Sequence, residues 1–66
     1  MAWFNKKYIY RVIWAFDSQT YITHTEYVKA SDEAEAWSQI AKQHYAIDCR
    51  NIKRITEEEQ EEELNK

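Results

Sequence analysis

Residues 8–16 read Tyr8-Ile9-Tyr10-Arg11-Val12-Ile13-Trp14-Ala15-Phe16. Every even position is apolar or aromatic, and every odd position except Arg11 is apolar as well. Successive side chains of an extended strand point to opposite faces, so this is a strand with surface to bury on both sides. In a chain of 66 residues one helix covers only one face of a small sheet. The other face must meet a second molecule or stay partly wet.

The sequence after this strand supplies its neighbours. Asp17-Ser18-Gln19-Thr20 carries turn-forming residues, and the β-rich stretch from Tyr21 to Ala30 follows, so the first half of the chain reads as a hairpin. Ser31 or Asp32 is the natural cap of a helix, with Glu35 placed for a capping box. Ala34, Trp37, Ile40, Ala41, His44 and Tyr45 fall on one stripe at helical spacing, while Glu35, Gln39, Lys42 and Gln43 face away. The helix is expected to end near Tyr45 or Ala46, with Asp48 to Asn51 leading to a short third strand from Asn51 to Thr56. A right-handed crossover that skips one position sets the third strand beside the first. The expected fold is therefore α+β: a ββαβ domain over residues 1–56, with a three-stranded sheet of order 2-1-3 covered on one face by a single helix. Residues 57–66 are expected to be an acidic tail, disordered or frayed helical.

A tight turn at Ser18 and Gln19 predicts cross-strand partners Ile9 with Val28, Arg11 with Glu26 and Ala15 with Ile22. A shift of one residue would instead mate Tyr10 with Val28. The first pairing matches opposite charges and is preferred on that ground. Burying Arg11 and Glu26 under the helix would cost several kcal/mol, so the aromatic even positions of the first strand are assigned to the helix side, together with Tyr21, Thr23, Thr25 and Tyr27. Ile9, Arg11, Ile13, Ile22, His24, Glu26 and Val28 then form the open face, the expected partner-binding surface. Trp3 and Phe4 are expected to fold back on the body or meet a partner.

Composition removes several function classes. Glycine and proline are both absent, although average usage gives roughly eight of the two in a chain this long. No glycine-rich phosphate loop or dinucleotide fingerprint can be built. Cys49 is the only cysteine, so there is no internal disulfide, and neither histidine stands near it at a zinc spacing. No metal or cofactor is expected, and a lone thiol without a secretory signal points to the cytoplasm. No segment is long and apolar enough to span a membrane. The net charge of −3 divides into +2 over residues 1–56 and −5 over residues 57–66.

The aromatic row can be read as a stacking platform for single-stranded nucleic acid or as core. Core is the better reading in a domain with so little other apolar material. Arg50, Lys53 and Arg54 can contact phosphate or an acidic partner, or simply guard a sheet edge. The glutamates can sit back on them, and Thr56 with Glu59 suits a capping box, but Glu57 with Glu61, Glu58 with Glu62 and Glu59 with Glu63 repel at helical spacing. His24 and His44 as bases and Cys49 as a nucleophile lack orienting groups and a pocket, so an enzyme with a small-molecule substrate is not expected.

In general style the chain is similar to small proteins encoded by bacteriophages and mobile elements, some of which bind host or defence proteins; no motif ties it to a family. The expectation is a cytoplasmic adaptor or inhibitor acting by protein contact, as a homodimer through the open face or on a host protein. The alternative is a small nucleic-acid-binding module using the basic third strand.

Overall fold

The structure, a computed structural model, describes residues 6–66; the expectation for Trp3 and Phe4 concerns residues outside this range. The elements are β1 (Tyr8–Phe16), β2 (His24–Ala30), α1 (Glu33–Gln43), β3 (Ile47–Ile55) and α2 (Glu57–Leu64). They form one α+β domain whose sheet has the order β2-β1-β3, with β1 antiparallel to both neighbours. β2 and β3 thus run in the same direction, and α1 crosses over between them, as the connection rules require.

The even residues of β1 lie under α1. Tyr10, Val12 and Trp14 form the core with Ala30, Ala36 and Ile40, and Tyr8, Phe16, Val28, Trp37, Ile47 and Ile52 pack around it. Val12 and Ile40 are fully buried, and each such side chain stabilises the fold by about 1.5–3 kcal/mol through removal of apolar surface from water. The helix stripe is turned slightly from the expected one: Ala36 is buried, whereas Ala34 and Ala41 are exposed. Alanine is small enough to be tolerated on either side, so it reports the helix face poorly. Asp32 caps α1, accepting from the Glu35 amide at 2.7 Å, while the Glu35 carboxylate receives the Ser31 hydroxyl at 2.8 Å.

β2 is displaced by one residue from the preferred pairing. Tyr10 pairs with Val28, Val12 with Glu26 and Trp14 with His24. The connection Asp17–Thr23 makes two successive turns, Gln19 N to Phe16 O at 3.0 Å and Ile22 N to Gln19 O at 3.1 Å, so no tight hairpin sets the register. A one-residue slip turns every side chain of a strand over. The adopted register places Val28 and Ala30 beneath α1, and that apolar burial outweighs the surface pairing of Arg11 with Glu26.

β3 begins at Ile47, earlier than expected, because a bulge opposite Ile13 and Trp14 interrupts its alternation. Ile52 pairs with Val12 before the bulge is crossed, and Ile47 pairs with Phe16 beyond it. The acidic stretch, expected to be a disordered or frayed helical tail, carries the helix α2. Thr56 and Glu59 form a reciprocal capping box at its start, at 3.1 and 3.2 Å. It folds back toward the face of the sheet opposite α1, where Glu63 meets Arg11 and Tyr27.

Candidate functional site

On the helix side, cross-strand neighbours Trp14 and His24 stack with ring centres 4.4 Å apart and planes 23° from parallel. His44, the residue that ends α1, lies 4.2 Å from the same indole at 32°. Both imidazoles thus pack against the Trp14 indole. Phe16 meets Trp14 edge-on at 4.9 Å. Glu26 Oε2 accepts from Trp14 Nε1 at 2.7 Å and lies 3.1 Å from His44 Nε2. The indole N–H, which a buried tryptophan must place, is thereby satisfied.

These residues floor an open groove of about 630 Å³ lined also by Thr23, Thr25 and Gln43. Glu26 is the only acidic or basic residue other than histidine in that lining. The two connections at this end are tied together: Asp17 N donates to Ala46 O at 2.9 Å and Arg50 Nη2 to Thr20 O at 2.9 Å. Ala46 has φ of 55°, a left-handed conformation that costs a residue with a Cβ roughly 1–2 kcal/mol. Next to it Tyr45 is 92% exposed, and across the tie Tyr21 is 83% and Ile22 39% exposed.

The opposite face carries three rows of cross-strand neighbours: Lys29–Ile9–Ile55, Tyr27–Arg11–Lys53 and Thr25–Ile13–Asn51. Ile9 and Ile55 are buried. Arg11 Nη1 donates to Glu63 Oε2 at 3.0 Å and the Tyr27 hydroxyl to Glu63 Oε1 at 2.6 Å. The phenol bond, with help from Arg11, holds the Glu63 carboxyl below its ordinary range, and the same bond pushes the Tyr27 phenol up.

Of the residues expected on the open face, Ile9, Arg11 and Ile13 lie there. His24, Glu26 and Val28 lie on the α1 side because of the register, and Ile22 lies in the β1–β2 connection. The expected Arg11–Glu26 pair is replaced by Arg11–Glu63. The three cations around β3 do not form one patch. Arg50, at the bulge, pairs with Asp48 at 3.4 Å; Arg54 lies 4.1 Å over the Tyr8 ring on the helix side; Lys53 alone sits on the open face. Cys49 is half-buried in β3, and burial pushes its thiol up.

The placement of Tyr21, Tyr45 and Glu63 was hidden in the sequence. The two tyrosines stand beside turn residues and read as strand or helix stripe, and Glu63 is one of six glutamates within residues 57–66 with nothing local to distinguish it. Among the described residues no group of three His, Cys, Asp or Glu side chains is arranged to hold a metal ion, and no helix is long and apolar enough to cross a membrane. Comparison with protein-family models, with curated proteins and with solved structures finds no match.

Proposed function

We propose that the chain is a small non-enzymatic protein-binding module whose partner docks where the β1–β2 and α1–β3 connections meet. The observation that carries this reading is that the two connections tied together at this end expose Tyr21, Ile22 and Tyr45, which adjoin in sequence the groove-lining residues Thr23 and His44. Water-exposed aromatic side chains suit an interface anchor, because a tyrosine buries large area at low entropic cost. The groove favours a basic side chain from the partner. Glu26, the one carboxylate of the lining, takes both of its bonds on Oε2, so its Oε1 can receive a cation.

Protein contact is better supported than a nucleic-acid role. Phosphate binding calls for cations aligned along one groove, whereas Arg50, Lys53 and Arg54 point to three different settings. Pairing of two copies through the open sheet face is the less favoured arrangement, since α2 reaches over part of it.

The test is capture from native cell extract with and without nuclease, comparing the wild-type chain with Tyr21→Ser/Tyr45→Ser. A partner retained after nuclease and reduced about tenfold or more by the double substitution supports the reading. Equal capture by a double variant of unchanged circular dichroism, or loss of all partners on nuclease treatment, overturns it.

A further inference from the structure

The rows Lys29–Ile9–Ile55, Tyr27–Arg11–Lys53 and Thr25–Ile13–Asn51 contain three cations and no carboxylate. Beyond Asp48, which partners Ala15 at the far end of this face and pairs with Arg50, negative charge is brought by α2, six of whose eight residues are glutamate. Only one of them reaches the centre of the sheet: Glu63, received by Arg11 and Tyr27. We propose that the Tyr27–Arg11–Lys53 row is a binding site for an acidic peptide segment of a partner protein, with α2 as its resident competitor.

Three observations make α2 a replaceable occupant. Glu63 engages Arg11 through Nη1 alone, while the Nε of Arg11 is buried without a hydrogen-bond partner. A guanidinium holds a carboxylate best through two parallel bonds, so an incoming carboxylate that takes Nη1 together with Nη2, or Nη2 together with Nε, makes a stronger pair than the single Nη1 bond of Glu63. The packing of α2 is open as well: a cleft of about 300 Å³ lies between its Glu57, Gln60, Glu61 and Leu64 and the sheet residues Ile9 and Lys29. Leu64, its one apolar residue, is 62% exposed and adds little grip. Finally, among the described residues neither Lys29 nor Lys53 has a salt-bridge partner, which leaves two further cations for a second and third acid of the incoming segment. This surface is on the opposite side of the sheet from the groove and stands independently of the protein-docking reading.

The experiment uses the full chain and a fluorescent synthetic peptide with the sequence of residues 56–66, followed by anisotropy at low salt. Removing the competitor raises the fraction of open sites and tightens apparent affinity by the same factor. Glu63→Ala is therefore expected to bind the peptide about fivefold or more tightly than wild type. Adding Tyr27→Phe, which removes only a hydroxyl, weakens that binding, and adding Arg11→Gln abolishes it. Tyr21→Ser/Tyr45→Ser leaves it unchanged. Binding by Glu63→Ala no tighter than by wild type, or equal binding by folded Arg11→Gln/Glu63→Ala, overturns the proposal.

Discussion

Glu26 shows how one side chain holds two partners. Its Oε2 accepts the Trp14 N–H and faces His44, and Trp14 is only 3% exposed. Glu26→Ala leaves that N–H buried without an acceptor, which costs about 1–3 kcal/mol. Glu26→Gln keeps an acceptor and is expected to lose much less; urea denaturation of the two variants separates them. Ala46 offers the opposite case. Its left-handed backbone costs about 1–2 kcal/mol, and a glycine there would give back about 0.4–1 kcal/mol through the freer unfolded chain. Ala46→Gly is thus expected to stabilise the fold by roughly 0.5–1 kcal/mol, seen as a higher denaturant midpoint with unchanged slope. Cys49, half-buried with its thiol pushed up by burial and by Asp48, is expected to alkylate several times more slowly than a free cysteine near pH 8. Labelling at the free-thiol rate would show that β3 opens.

At the scale of elements, α2 is the least self-sufficient part. A helix of this length is marginal in water, and its glutamates repel at helical spacing. The capping box and the Glu63 contact hold it. The Glu63 carboxyl is depressed below its ordinary 4.5, so its contribution is complete above that value and is lost as pH falls through the depressed one. The Tyr27 phenol is raised above 10.0, so its contribution is complete below that value and is lost as pH rises through the raised one. Docking of α2 is therefore expected to hold across the neutral range and to fail at both extremes. Nuclear Overhauser contacts between the Tyr27 ring and Glu63 report this directly. Far-UV helicity does not, since acid also relieves repulsion among the remaining glutamates.

For the molecule as a whole, the core is small enough that single residues decide stability. Ile40 is fully buried between α1 and the sheet, and Ile40→Ala is expected to cost about 2–5 kcal/mol. In a domain this short that is much or all of the net stability, so calorimetry should find a transition lowered by many degrees or absent. The architecture was legible in the sequence because it follows from short-range patterns. The two-sided apolar run of β1 marks a central strand, the Asp32 cap and the Trp37–Ile40 spacing mark a helix, and connection rules then leave the order 2-1-3. The even side of β1 was legible for the same reason, since Arg11 lies on the odd side. The proposed binding surfaces were not. They depend on the register of β2, which a looped connection leaves open and which packing of Val28 and Ala30 against α1 selects. With that choice Glu26 and His24 pass from the open face to the groove. The return of α2 brings Glu63 to Arg11 from 52 residues away. Local propensity and periodicity determined which elements form, whereas register and long-range charge pairing, both competitions among near-equal alternatives, were decided only when the whole chain packed.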